Sequence, residues 1–366
     1  MKLLASSLFM LALLATPSLA ADLIEEKVDL PVAFSGETLT LEALIIRPDD
    51  DRPHPLAIIN HGSPRNVDAR AEMSPRSYRA QAREFARRGW VTVAFMRRGY
   101  GESDGDYMEG YGKCSSPDYE TAGRNSADDL RAVIKAMRKK DYVDGSKVIS
   151  IGQSAGGFAT VALTADPPPG LIAAINFAGG RGSTKPDEVC GPSQLLKAFA
   201  AYGRSSRIPM LWVYAENDHF FGPTLAQSFH RAFVDAGGQA QFVAAPSFAA
   251  DGHFLFSEKG APTWTRYVDD FLGQQAQLGP RQAPPPARAE RKVSFPKGLG
   301  EKGKEAFLKY LEANDHKAFV MSSDGHYGWR TGRKDIETAI EEATDYCREN
   351  TRKRCYTVMI DNDPVE

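Results

Sequence analysis

The sequence predicts an α/β architecture with an eight-stranded, mostly parallel sheet flanked by helices, followed by a small C-terminal α+β module. Three observations predict it. Apolar, β-branched runs alternate with helical patterns from residue 26 to about residue 275, a glycine-rich turn sits between a strand pattern and a helix pattern in the middle, and a proline-rich break separates a shorter second stretch.

Taken in order, "KVDLPVAF" and "TLTLEALIIRP" open the sheet. No helical segment lies between them, so they are expected to form an antiparallel edge. "PLAIIN", "WVTVAFM", "KVISIG", "LIAAINF", "MLWVYA" and "AQFVAAP" complete the eight strands, as short runs suited to burial on both faces. The stretches "RSYRAQAREFARRG" and "SADDLRAVIKAMRKK" repeat apolar residues at three- and four-residue spacing and predict amphipathic helices between strands. Residues 276–294, with three consecutive prolines and no periodicity, read as a semi-rigid linker after a main unit at 21–275. Residues 295–366 then read as helix, strand, helix and strand.

The 366 residues, 42% hydrophobic and 25% charged, describe an ordinary globular chain. A net charge of -2 without a basic, aromatic-interleaved stripe argues against a nucleic-acid partner. Residues 1–20, "MKLLASSLFMLALLATPSLA", carry Lys2, a short apolar stretch, and small residues at 18 and 20, so a secretory leader cut near Ala20 is expected. The stretch is short for the roughly 20 residues that span a bilayer, and no later segment spans one, so the mature chain is expected to be exported, periplasmic or secreted, without a membrane span. Four cysteines in such a compartment favour two bridges. Three pairings are open; Cys347 with Cys355, flanking "RENTRKR", and Cys114 with Cys190 is the expected one.

"GQSAGG" follows the strand "KVISI" directly. A serine on a sharp strand-to-helix turn, with glycines at 152 and 156 to let backbone pass close by, is the arrangement of a nucleophile elbow. Ser154 is therefore the candidate nucleophile. Such a serine needs a base, and the base needs a carboxylate to orient it. His54 and His61 precede the serine, His230 lies in a helical run, and His316 and His326 lie beyond the linker. His253, in the loop "FAADGHFLF" after the last strand, is the candidate base. "IPMLWVYAENDHFFGP" places Asp218 just past a strong strand as the candidate acid, with Glu216 as runner-up and a helix-capping role for Asp218 as the alternative. His219 reads as a site-lining or solvated residue. For the oxyanion, the loop "HGS" after "PLAIIN" offers the backbone N–H of Ser63, paired with that of Ala155.

"NHGSP", "RRGYGESDG", "GQSAGG", "ENDHF" and "DGHF", in this order over residues 26 to 275, resemble the α/β-hydrolase superfamily, closest to its dienelactone-hydrolase-like and acyl-peptidase-like members. The resemblance implies the α/β-hydrolase fold, with Ser154, Asp218 and His253 as nucleophile, acid and base. It also implies that the loop holding Arg97, Arg98 and Asp104 is structural. A dienelactone hydrolase proper carries cysteine where this chain has Ser154, which argues against that particular activity. Two insertions, around "SDGDYMEGYGKCSSPDYETAGR" and "GGRGSTKPDEVCGPSQLLKAFAAYGRSS", are expected over the carboxyl end of the sheet, with Tyr107, Tyr111 and Tyr119 as packing or substrate-stacking residues.

The reading is an exported serine hydrolase that cleaves carboxylic esters through an acyl-enzyme, with no cofactor and no metal. Peptidase activity on short peptides is the alternative, and a binding protein that keeps the fold without turnover is a third reading. His316, His326 and Asp324 lack convincing metal-ligand spacing. The C-terminal module reads as a packing or partner-binding unit of unknown partner.

Overall fold

The computed structural model describes residues 23–34, 36–275, 295–313, 316–333, 336–361 and 363–365. The expected leader at 1–20 and linker at 276–294 lie outside the described residues.

The chain opens with β1 (Leu23–Phe34) and β2 (Glu37–Pro48), paired antiparallel as expected. There follow β3 (His54–Asn60), α1 (Arg79–Ala86), β4 (Val91–Phe95), α2 (Tyr119–Met137), β5 (Val143–Gln153), α3 (Ala155–Thr164) and β6 (Leu171–Phe177). A short hairpin, β7 (Ser183–Lys185) and β8 (Glu188–Val189), precedes α4 (Pro192–Ser205), β9 (Met210–Ala215), α5 (Pro223–Asp235), β10 (Ala240–Ala245) and α6 (Ala261–Leu272). The main sheet has eight strands in the order β1-β2-β4-β3-β5-β6-β9-β10. It is parallel from β4 through β10, and β2 joins β4 antiparallel. This is the α/β-hydrolase fold.

Burial explains the strand sequences. The last six residues of β5, and all of β4 and β9, are buried because helices cover both faces, which is why these runs lack alternation. On one face Leu130, Phe158, Phe199 and Phe229 of α2 to α5 pack with Trp212; on the other, Phe85 of α1 and Trp264 and Phe271 of α6 pack with Ile151 and Phe177. The helix α3 is buried all round and mostly apolar, its two threonines hydrogen-bonded internally, as a helix inside a domain must be. The helix α2 begins seven residues before the periodicity suggests, where the Asp118 side chain accepts from Thr121 N–H and caps it.

The C-terminal module comprises α7 (Glu301–Glu312), β11 (Ala318–Ser322), β12 (Tyr327–Arg330), α8 (Ile336–Glu349), β13 (Cys355–Ile360) and β14 (Asp363–Pro364). Its antiparallel sheet has four strands, ordered β12-β11-β13-β14, where the sequence pattern showed two. Ala318 and Val320 of β11 face α8, while Phe319 and Met321 face α7. One sheet therefore separates two small cores. Arg76 pairs with Glu337 at 3.3 Å and Arg79 approaches Asp361 at 3.9 Å, which ties the module to the α1 side of the main sheet.

Both expected disulfides are present. Cys347 and Cys355 are eight residues apart and belong to the α8-side core. Closing so short a loop restricts the unfolded chain by about 2–3 kcal/mol. A Cys347→Ser/Cys355→Ser double variant is expected to lose about that much local stability, read as faster amide hydrogen exchange in β11 and β13. Unchanged protection there would mean that packing alone holds the module.

Candidate active site

Ser154 sits between β5 and α3 with φ 56° and ψ -122°, a backbone conformation that side-chain-bearing residues rarely adopt. Surrounding packing enforces it. A Cβ at Gly152 would lie 2.1 Å from Gly156 O, and a Cβ at Gly156 would lie 2.1 Å from Asn60 O. Only glycine allows the strand, the turn and the helix to cross so closely. The Ser154 amide donates to Phe177 O, and Ser154 O accepts from Gly180 N–H, fixing the turn to the end of β6.

The loop after β3 passes beside this turn. A Cβ at Gly62 would lie 3.2 Å from Ser154 Cβ and 3.7 Å from its Oγ, so Gly62 flanks Ser154. The Gly62 N–H is taken by Tyr78 Oη at 3.1 Å, whereas the Ser63 N–H has no partner among the described residues. His61, fully buried behind the loop, accepts from Arg97 N–H through Nε2 and places Nδ1 2.6 Å from Gly62 O. Burial, reinforced by the Arg97 charge, pushes its pKa well below the ordinary value. It is a neutral Nδ1–H tautomer that braces the loop.

Asp218 and His253 come from separate loops and meet in the interior. His253 Nδ1 lies 3.1 and 3.2 Å from the two Asp218 oxygens, and both side chains are almost completely buried. Asp218 Oδ1 also accepts the N–H groups of Phe220 and Phe221 at 2.7 and 2.9 Å. It thus turns the chain after β9 and orients the imidazole, the capping reading having been placed on the helix α5. Glu216 is exposed. Asp251 accepts from His253 N–H and His219 N–H and sets the short 3₁₀ turn of Gly252–Phe254. Phe220 stacks on the His253 ring at 3.8 Å and 12°, and the Arg65 guanidinium lies 3.5 Å from the Phe220 ring. Ser154 Oγ and His253 are not hydrogen-bonded in this structure. Such contacts commonly tighten only when substrate is bound.

His219 lies at the rim, where the hydrogen bond it donates to the Asp187 carboxylate raises its pKa. Tyr111 and Tyr119 pack on one another at 4.9 Å, and Tyr119 donates to Cys190 O. Tyr107 is covered by Arg70 at 3.5 Å. These tyrosines pack the loops together. Asp104 accepts from Thr40 N–H, and Arg98 pairs with Asp129 at 2.6 Å, structural roles as expected. His326 is 3.4 Å from Asp324, and no group of three metal-ligating side chains occurs among the described residues.

Sequence reasoning missed the most buried ionic cluster. Glu109 (1% exposed) is held between Arg97 (0%) and Arg181 (4%) through side-chain hydrogen bonds from both. Tyr100 Oη stands 3.0 Å from Glu109 and 2.9 Å from Ser63 Oγ, so it donates to the carboxylate and accepts from the serine. Burial alone would raise the Glu109 carboxyl, but the charges of Arg97 and Arg181 outweigh it and hold the group well below the usual carboxylate range. Nothing local distinguishes Glu109 from the other acids in "GESDGDYMEG"; only the fold brings the two arginines to it.

A model of the X-Pro dipeptidyl-peptidase (S15 family) matches residues 36–188, which include Ser63 and Ser154 but end before Asp218 and His253. Dipeptidyl-peptidase 5 of Porphyromonas gingivalis is 29% identical over 147 residues, covering 39% of this chain and 19% of that protein. The chain thus spans about a fifth of that curated relative. Among solved structures, a putative dienelactone hydrolase from Klebsiella pneumoniae has a TM-score of 0.48 at 19% identity, covering 69% of this chain and 99% of that one. Butyrate-bound esterase 2 of Thermogutta terrifontis has a TM-score of 0.48 at 19% identity, covering 72% and 97%. For the acylaminoacyl peptidase of Pyrococcus horikoshii the values are 0.48, 15%, 69% and 42%. With its eight-stranded, mostly parallel sheet, the chain has the α/β-hydrolase fold.

Removing the charge of Glu109 would leave two buried cations uncompensated. A Glu109→Gln variant is expected to lose about 3–5 kcal/mol of folding stability at pH 7 by urea unfolding. Because the folded state depresses this carboxyl, its contribution is complete above the unfolded value near 4.5 and is lost as pH falls below it. The gap between wild type and variant should therefore narrow between pH 5 and pH 3. A gap that stays constant with pH would show that the ion pairs are not its source.

Proposed function

We propose that this chain hydrolyses carboxylic esters with Ser154 as nucleophile, His253 as base and Asp218 as the acid that orients it. The observation that carries the reading is the strained Ser154 turn on a sheet whose neighbouring loops present a buried His–Asp pair. In this mechanism His253, its Nδ1 engaged by Asp218, takes the Ser154 proton through Nε2 as the hydroxyl attacks the carbonyl carbon. The oxyanion is met by the N–H groups of Ser63 and Ala155, the latter at the positive end of α3. The protonated His253 returns its proton to the leaving alkoxide, and water then releases the acyl group by the same steps in reverse. These steps call on no cofactor.

A peptidase acting on short peptides is the second reading, favoured by the family match and by the P. gingivalis relative. Recognising a peptide's ammonium terminus calls for an available carboxylate. Glu109, the deeply buried carboxylate beside the site, is already neutralised by two arginines, and Arg65 adds positive charge beside Phe220. Glu109 is therefore not free to receive a peptide's ammonium terminus. The leader-like residues 1–20 and the paired cysteines support an exported protein.

Ser154→Ala is expected to lower kcat on a p-nitrophenyl acyl ester by about 10⁴-fold or more. A fluorophosphonate should label Ser154 in the wild type and not in His253→Ala. Retained ester turnover in Ser154→Ala would remove the nucleophile assignment. Faster turnover of dipeptidyl p-nitroanilides than of esters would shift the reading to the peptidase.

A further inference from the structure

Three loops must be held in register for the proposed reaction: the one carrying Ser63, the turn carrying Ser154 and the one carrying His253. They come from the ends of β3, β5 and β10, and no backbone ladder joins the first to the last. One side-chain relay does. Gly62 N–H reaches Tyr78 Oη at 3.1 Å, Tyr78 Oη reaches Gln153 Oε1 at 3.1 Å, and Gln153 Nε2 reaches His253 O at 2.9 Å. Tyr78 and Gln153 are each only 8% exposed.

The direction of every bond in this relay is fixed by its last member. His253 O is a carbonyl and can only accept, so the Gln153 amide must turn its NH₂ group toward it. That leaves Oε1 facing Tyr78, which must donate its single proton there. Tyr78 can then only accept from Gly62, and an amide N–H is the one backbone group at Gly62 able to supply a proton. Burial raises the Tyr78 pKa, which keeps that proton in place.

The consequence lies at the loop. Successive amides of the Gly62–Ser63 loop are alternative oxyanion donors. Tyr78 draws the first of them inward, while the Ser63 N–H has no partner among the described residues. We propose that Tyr78 and Gln153 are positioning residues whose relay selects the Ser63 amide as oxyanion donor and sets His253 at the height of the same carbonyl. The proposal rests on the ester-hydrolase reading above. It assigns a purpose to the residue preceding Ser154, which the elbow geometry itself leaves unconstrained.

The test uses Tyr78→Phe, which keeps the ring and removes only the hydroxyl, and Gln153→Met, which keeps length and removes both bonds. Wild type, both single variants and the double variant are compared on a p-nitrophenyl acyl ester, with fluorophosphonate titration giving kcat per competent site, and with Ser154→Ala as the control. Each single variant is expected to lose about 10–100-fold in kcat per site, with KM within about twofold, because a misplaced donor acts in the transition state. The double variant should fall no further than the weaker single variant, since either substitution already breaks the relay. A merely structural role would lower the melting temperature or the number of competent sites and leave kcat per site unchanged; that result overturns the proposal, as do multiplicative losses in the double variant. If Ser154→Ala matched the wild type, the ester-hydrolase reading would fall and the relay's role with it. An inactive Ser154→Ala beside a fully active Tyr78→Phe would sink the relay alone.

Discussion

The constraint on which the rest of the structure depends is the crossing of β5, the Ser154 turn and α3 beneath the end of β3. Steric exclusion forces it. The Cα atoms of Gly152 and Gly156 lie where any side-chain carbon would strike the backbone of Gly156 or Asn60. A left-handed serine costs on the order of 1–3 kcal/mol, so the surroundings must over-determine it. They do so through buried polar groups: Asn60 Nδ2 donates to Ser150 and Thr160, binding β3 to β5 and α3 directly below the turn. The strain that is costly to folding is confined to the one residue at which β5 turns into α3.

A second layer surrounds that crossing. Arg97 leaves the end of β4, Arg181 leaves the end of β6, and Glu109 arrives from the long connection before α2. The Cys114–Cys190 bridge joins that connection to the loop before α4. Charge and covalent linkage thus act on the same two insertions. A buried ion pair stabilises little in net terms, since desolvation offsets attraction, but removing one member strands the others. Both contacts join the same two insertions, which the ion pairs and the bridge hold against one another.

Legibility in the sequence followed the range of the forces involved. The central strands of the main sheet could be read because burial on both faces leaves an uninterrupted apolar run, whereas the half-exposed edge strands β1 and β10 were legible from their β-branched and aromatic residues between turns. Ser154, Asp218 and His253 could be singled out as candidates because they lie in the glycine-punctuated segments that follow β5, β9 and β10. The start of α2 was obscured by the polar run "YETAGRN", although Asp118 was a capping signal in plain view. The strand β12 was hidden because it is four residues long and includes Gly328, where a Cβ would meet Ala343 O of α8 at 2.2 Å. Its composition reads as a loop for the very reason that lets it pack. Glu109, Tyr78 and Gln153 were illegible because their partners are long-range: Tyr78 and Gln153 are 75 residues apart, and Glu109 and Arg181 are 72.

His253 shows how the fold limits the motion of a single side chain. An imidazole held by one hydrogen bond can still rotate about the bond joining it to the chain. At His253 this freedom is removed from three directions: Asp218 binds Nδ1 in the ring plane, Phe220 covers one face, and Gln153 holds the backbone carbonyl. Phe220 is itself pressed from its far side by Arg65, whose guanidinium is anchored by Ser183 Oγ and His219 O. Arg65 belongs to the loop that follows Ser63, so the segment beside the Ser154 turn also presses Phe220 onto the His253 ring. The Ser154 turn, the Gly62–Ser63 loop and the His253 loop therefore form one packed unit, in which a shift of any segment is passed to the other two.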